Sequence, residues 1–232
     1  MKIRPLFQLD SRLQLCASMV RENVKLADIG TDHAYLPIWL ARQERISKAI
    51  AADIHLGPLQ KAASNVRRYR VEEIVSTRLS DGLDEIFPNE ADDIVIAGMG
   101  GELIANILGK APWLKNQDKH LILQPMTSAE ELRRFLQQEG YAVQKEQAAV
   151  DGSHAYTVML AVYNPQNVPK NGLYPYIGLL FGDTEESKEY IRRQVNSIEK
   201  RANGLQVSGH TEEANTYFHI LAELRKVLEG VE

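Results

Sequence analysis

One acidic residue and one glycine stand where an apolar run gives way to a helical pattern. Val24–Ile29 reads as a strand, Asp28-Ile29-Gly30-Thr31-Asp32-His33 closes it, and a helix-like stretch opens at Tyr35. A strand feeding a helix through such a turn is the opening unit of an open α/β sheet. The turn lacks the three glycines of G-x-G-x-x-G, which bring a pyrophosphate onto a helix N-terminus. The next strand-like run, Lys48 to Ala52, ends in Asp53. In nucleotide-binding α/β folds an acidic side chain about 20 residues beyond the first loop accepts hydrogen bonds from ribose hydroxyls. The combination points to an adenosine-containing ligand without a diphosphate, and S-adenosylmethionine fits that description.

The pattern continues in the same style. Strand-like runs at Val24–Ile29, Ala49–Asp53, Ile74–Leu79, Asp93–Ala97 and His120–Gln124 alternate with helical patterns at Tyr35–Arg42, Pro58–Tyr69, Gly101–Leu108 and Ala129–Glu139, with a short turn near Leu83. Near-continuous apolar strands separated by helices predict a parallel sheet covered on both faces. Gln8–Val20 reads as a preceding helix with Asp10-Ser11 as its start. Tyr141–Val150 and Ala155–Tyr163, joined at Asp151-Gly152, read as a closing antiparallel hairpin. The whole predicts a Rossmann-like α/β fold and resembles the seven-stranded sheet of class I methyltransferases in its antiparallel edge. Ligands in such sheets lie at the carboxyl ends of the strands near the topological switch point, where Asp28, Asp53, Asp81 and the glycines after Ala97 all fall.

Residues 164–172 have linker composition, rich in Asn and Pro. Beyond them the pattern is purely helical. Ile191, Val195, Ile198 and Ala202 form one stripe, and Tyr217, Ile220 or Leu221, Leu224 and Val227 or Leu228 another. Asp183 and Glu186 have capping-box spacing, Thr211 is placed to cap the second helix, and Gly204–Gly209 is the break between them. The reading is a domain over 1–163 and a linker with a coiled-coil-like helical hairpin over 164–232.

The net charge of −4 carries no general basic excess of the kind that grips phosphates. Basic residues cluster locally at Arg67, Arg68 and Arg70, at Arg133 and Arg134, and at Lys188, Arg192, Arg193, Lys200 and Arg201. Such runs are solvated helix faces unless a phosphate partner uses them. The single cysteine, Cys16, excludes an intramolecular disulfide and reads as a buried helix residue. Met1–Pro5 has no apolar leader pattern and no run is long enough for a membrane span, so the default location is cytoplasmic. His33, His55 and His154 lack metal-ligand spacing, and no metal is expected.

The candidate site residues follow from position. Asp28 can fix the first loop or accept from the donor's ammonium, and Gly30 gives backbone room. Asp81-Gly82 can set a carboxylate beside an adenine amine or be only a turn. Arg12 on the first helix is a surface residue or reaches the donor's carboxylate, and His33 is a loop or packing residue or lines its pocket. Gly98, Gly100 and Gly101 around Met99 leave backbone open to a planar ring. The Asp/Asn-Pro-Pro-Tyr/Phe string typical of enzymes that methylate an exocyclic adenine amine is absent.

Asp28-Ile29-Gly30-Thr31-Asp32-His33-Ala34-Tyr35-Leu36-Pro37, Ala97-Gly98-Met99-Gly100-Gly101 and Leu121-Ile122-Leu123-Gln124-Pro125 occur in that order. Together they resemble the bacterial TrmK family, tRNA methyltransferases that modify N1 of adenine 22. The resemblance implies a Rossmann-like catalytic domain, S-adenosylmethionine as donor, tRNA as partner and a helical tail that helps hold it. It implies cofactor contacts at Asp28, Gly30, His33, Asp53, Asp81, Gly82 and Gly98. Adenine N1 has an in-plane lone pair, so no strong base is required. Backbone carbonyls from Gly98 through Met99 to Gly100, or the Asp32 carboxylate, are the candidates for stabilising charge that arises on the ring. Lys188, Arg192, Arg193, Lys200 and Arg201 are the candidate tRNA contacts, although the helical pair could instead dimerise. The rival readings are a methyltransferase with another acceptor and a non-catalytic tRNA- or protein-binding module.

Overall fold

The computed structural model describes residues 6–169 and 171–230. The expectations for Met1–Pro5 and the linker position Lys170 lie outside them. The chain runs α1 (Ser11–Met19), β1 (Val24–Ile29), α2 (Tyr35–Arg42), β2 (Ile46–Asp53), α3 (Leu56–Tyr69), β3 (Val75–Leu79) and β4 (Asp93–Gly100). It continues through α4 (Gly101–Gly109), β5 (His120–Thr127), α5 (Ala129–Glu139), β6 (Tyr141–Asp151) and β7 (His154–Tyr163). Three helices follow: α6 (Tyr174–Ile177), α7 (Glu185–Val207) and α8 (Thr211–Glu229).

The seven strands form one sheet in the order β3-β2-β1-β4-β5-β7-β6. The first five are parallel, and β7 inserts antiparallel between β5 and β6. This is the expected Rossmann-like class I arrangement, and its reason is visible along β4. Ile94 and Ile96 face the layer of α4 and α5, while Val95 faces the layer of α1, α2 and α3, all three fully buried. Apolar residues on both faces leave a strand no stable place except the interior of a covered sheet. Because β1 pairs with β2 on one side and β4 on the other, a crevice opens at the carboxyl ends of β1 and β4, the switch point.

Several local readings change. Asp10 caps α1 as read, its carboxylate accepting from the Leu13 amide at 2.8 Å. The cap of α7 is Thr184, whose hydroxyl accepts from the Ser187 amide, and the Asp183–Glu186 box does not form. Thr211 is the first residue of α8 and does not cap it. Gly204 stays inside α7, so the break is confined to Ser208–His210. The glycines after Ala97 are strand before they are loop. β4 bulges past Ala97 and runs beside the end of β5, pairing Met99 with Pro125 and Gly100 with Thr127. An extra residue in a bulge lets two strands stay adjacent where regular pairing has ended.

Arg133 does not belong to a solvated basic face. It is fully buried on α5, because it lies on the same helix face as Leu132 and Leu136, which pack into the core. Cys16 is buried as read, and burial pushes its thiol up to about 12. The stripes of α7 and α8 pack on each other in a third cluster together with Tyr176, Ile177 and Leu180 around α6.

Candidate active site

The crevice at the switch point is a cavity of about 300 Å³. Its floor is the turn after β1. The amides of Gly30 and Thr31 both donate to the Ala52 carbonyl, at 2.8 and 2.9 Å, which bends the chain off the sheet toward β2. Gly30 has φ +75°, which favours glycine, and a Cβ there would displace the Met99 methyl group. Thr31 is buried, and its hydroxyl accepts from the Ala34 amide at 3.2 Å. α2 therefore starts from a left-handed Ala34 with no side-chain cap of its own.

Asp28 lies beneath this turn, 7% exposed. Burial pushes its carboxyl up to about 6; the nearby Asp53 charge adds to the rise, and the Thr31 hydroxyl works against it. Arg12 closes the cavity from the α1 side. One guanidinium nitrogen donates to Gln124 Oε1 at 2.8 Å and the other to Asp10 at 2.8 Å, while the group lies 5.5 Å from the centre of the Tyr156 ring. The same Gln124 oxygen accepts from the Gly98 amide at 3.1 Å. Gly98 has φ +82°, and a Cβ there would project into open space, its nearest neighbour Arg12 Nη1 at 4.0 Å. Its bare backbone thus borders the cavity.

Of the residues singled out from sequence, Arg12, Asp28, Gly30, Asp32, His33 and Gly98 all line this cavity. Asp32 is largely exposed, with its carboxylate 3.1 Å from His33 Nε2. The His33 ring stacks on Tyr35 at 5.1 Å. Asp53, Asp81 and Gly82 do not line it. They sit at the neighbouring strand ends, tied together by the Ser80 amide donating to the Asp53 carbonyl at 3.0 Å. The Asp53 carboxylate accepts from the His55 amide at 2.7 Å, and Ser80 donates to the Gly82 carbonyl at 2.9 Å to shape the second turn. Met99 and Gly100 do not line the cavity either, and the Met99 side chain packs against Gly30 and the core. Gly100 lies against Thr127.

The tail candidates are elsewhere, and most carry a counter-charge. Lys188 pairs with Glu185 at 2.9 Å, and Arg192 and Arg193 pair with Glu189 at 3.6 and 2.8 Å. Arg201 stacks 4.4 Å over Tyr217, and Lys200 is exposed. Sequence reading missed Gln124 as a site residue, although it stands inside the quoted Leu121–Pro125 string. Its only other signal is an amide in a strand of apolar residues, which must find partners when buried.

Residues 9–159 match a family model described as a methyltransferase domain. A tRNA (adenine(22)-N(1))-methyltransferase from Bacillus subtilis (strain 168) is 37% identical over 191 residues, covering 82% of this chain and 78% of that protein. The crystal structure of the B. subtilis m1A22 tRNA methyltransferase TrmK superposes with a TM-score of 0.83 at 30% identity, over 97% of this chain and 100% of that one. The chain belongs to the TrmK family. A protein from Streptococcus pneumoniae described as a putative tRNA (m1A22) methyltransferase was solved in complex with S-adenosyl-L-methionine; it is 30% identical with a TM-score of 0.76, over 95% of this chain and 100% of that one. The TrmK-like superposition includes the helical tail, since it spans nearly every residue.

The cavity suits that donor on its own terms. A buried carboxylate faces it from Asp28, glycine backbone at Gly30 and Gly98 leaves space where side chains would stand, and Arg12 offers a cation at the opposite wall. Among the described residues no group of three or more His, Cys, Asp or Glu is placed to hold a metal ion. No described helix is long and apolar enough to cross a membrane.

Proposed function

We infer that the protein transfers the methyl group of S-adenosylmethionine to N1 of adenine 22 in tRNA. The observation that carries this is full-length similarity to a TrmK enzyme combined with a cavity built at the switch point from Asp28, Gly30, Gly98 and Arg12. When bound, S-adenosylmethionine supplies an electrophilic methyl group on a sulfonium. The protein's part is positioning. Asp28 and the Gly30 turn hold one end of the donor, and Arg12, fixed by Asp10 and Gln124, faces its carboxylate. Asp53, Asp81 and Gly82, at the adjoining strand ends, serve the ribose and adenine. N1 attacks through its own lone pair, so Asp32 and the backbone carbonyls of Gly98, Met99 and Gly100 have only to stabilise the positive charge that develops on the ring. Asp10 neutralises Arg12 and keeps that cation from opposing it.

N1 lies on the Watson–Crick edge, so the adenine leaves its stack before reaction. In this reading residues 1–163 carry the chemistry and residues 164–232 contribute to holding tRNA through Lys188, Arg192, Arg193, Lys200 and Arg201. The glutamate pairs of Lys188, Arg192 and Arg193 are surface pairs of little net worth, readily exchanged for phosphate. A tRNA acceptor places the protein in the cytoplasm. The deciding experiment gives the protein labelled S-adenosylmethionine and an unmodified tRNA transcript and maps reverse-transcriptase stops. A stop at position 22, absent when that adenine is replaced by guanine, is the expected result. Label transferred to a different position would assign another acceptor.

A further inference from the structure

A second cleft, of about 450 Å³, opens beside the donor cavity and shares Asp10, Leu13 and Tyr35 with it. Phe7, ahead of α1, and Asn65, Arg68 and Tyr69 of α3 form much of the remaining wall. Three rings meet there: Phe7 stands edge-on to Tyr35 at 4.8 Å and to Tyr69 at 5.2 Å between centroids. Tyr35 is 41% exposed and stacks on His33 of the donor cavity. Aromatic surface therefore runs without interruption from one cleft into the other.

Arg68 puts a cation in the wall, and Lys61 lies outside that lining, two turns earlier on α3. Lys61, Asn65 and Arg68 stand at i, i+4 and i+7 on α3 and share one helix face. Asn65 is anchored by its amide donating to the His33 carbonyl at 3.0 Å. Lys61 and Arg68 are exposed. Among the described residues the ion pairs occupy Lys188, Arg192 and Arg193 but do not include Lys61, Arg67, Arg68 or Arg70. The acidic groups nearby are engaged or turned away. Asp10 is taken by Arg12 and the Leu13 amide, and Glu72 and Glu73 line a different cleft with Lys25 and Lys48. On a chain of net charge −4, uncompensated cations on one helix face concentrate attraction for an anion there.

We propose that this cleft receives an unpaired nucleotide flanking the adenine to be methylated, its base against Tyr35 and Phe7 and its phosphates on Arg68 and Lys61. The proposal rests on the tRNA methyltransferase reading above. A base that leaves its stack loosens its neighbours and bares their ring faces and backbone. Aromatic side chains accept any base by stacking, and arginine matches phosphate geometry while leaving sequence unread. An aromatic floor with a cation in its wall, continuous with the donor cavity, is the chemistry such a nucleotide requires.

The test is binding of an unmodified tRNA transcript over a range of salt concentrations, with S-adenosylmethionine affinity measured by calorimetry in parallel. For Lys61→Glu/Arg68→Glu the expected result is tRNA affinity lowered about tenfold or more and a salt slope reduced by about 1 to 2, with donor affinity unchanged. Lys61→Gln/Arg68→Gln gives the same reading should the charge-reversed pair fail to fold. Phe7→Ala should weaken tRNA binding about fivefold with an unaltered salt slope, and Phe7→Trp should restore it. If wild-type protein binds and methylates tRNA while the double variant keeps its affinity and slope, the cleft proposal is overturned and the methyltransferase reading stands. If wild-type protein binds S-adenosylmethionine but neither binds nor methylates tRNA, both fall.

Discussion

Asp28 is held in tension by its position. Its carboxyl is raised from 3.8 to about 6, mainly by burial, with the Asp53 charge adding to the effect. The folded protein thus binds this proton more tightly than the unfolded chain does. The stability contributed is fully present below the ordinary carboxyl value and is lost as pH rises through about 6, a loss of about 3 kcal/mol for a shift of this size. Asp28→Asn should therefore make the ligand-free protein more stable near pH 7 by about 1–3 kcal/mol and give no gain near pH 4. Urea unfolding at the two pH values checks this. A donor whose ammonium or hydroxyls face Asp28 reverses the preference, since it favours the ionised form. Binding of S-adenosylmethionine near pH 6 should then release a proton, seen as a buffer-dependent heat in calorimetry, and affinity should fall as pH drops further. The sequence located Asp28 at a strand end beside a ligand. Its shifted proton depended on β2 bringing Asp53 close and on burial within the packed layers, neither of which is a local property.

At the scale of elements, the helical tail is fastened to the sheet by one polar cluster. Arg133 of α5 and Glu146 of β6 form a fully buried pair at 2.6 Å. Arg133 also donates to the carbonyls of Pro175 and Tyr176 around α6, both at 3.0 Å, and to the Tyr190 hydroxyl of α7 at 3.1 Å. Glu146 accepts from Thr157 of β7 at 2.6 Å and from the Leu179 amide at 2.9 Å. Burial works against the Arg133 charge, but Glu146 and Tyr190 outweigh it and hold its pKa above the ordinary arginine value. Gly178, at φ +60°, lies so close to the pair that a Cβ would overlap the Glu146 carboxylate. Arg133→Met strands the Glu146 charge and should destabilise the protein by about 3–5 kcal/mol, whereas Arg133→Met/Glu146→Leu should recover most of the loss. Denaturant unfolding gives the magnitudes, and faster proteolysis between residues 164 and 184 in the single variant would show that the tail loosens first. Local pattern pointed the other way here: two adjacent arginines read as a solvated face, because helix periodicity alone does not reveal what packs above it.

The whole molecule is a sheet with two covered faces, a third apolar cluster in the tail and a cavity at the switch point. Saturation with S-adenosylmethionine at about 100 times its dissociation constant should stabilise the fold by about 2.7 kcal/mol. For a chain of this length that raises the melting temperature by roughly 5–11 °C, measurable by differential scanning fluorimetry. NAD at the same concentration should give no shift, since Gly30 stands alone where the pyrophosphate loop needs three glycines. Val24–Ile29, Asp93–Ala97 and the other apolar runs determined by themselves that the chain builds a buried, mainly parallel sheet, because unbroken apolar strands have no other stable environment. They also fixed which residues end those strands, and so placed Asp28, Gly30 and Gly98 at one edge. Tertiary structure alone decided that Gln124 joins Arg12 to Gly98, that Met99 turns under Gly30, that β4 runs on as a bulge through its glycines, and that Arg133 is interior. Each of these is a contact between segments distant in the chain, set by how layers pack and where buried polar groups find partners, and periodicity encodes a residue's own element but not its neighbours.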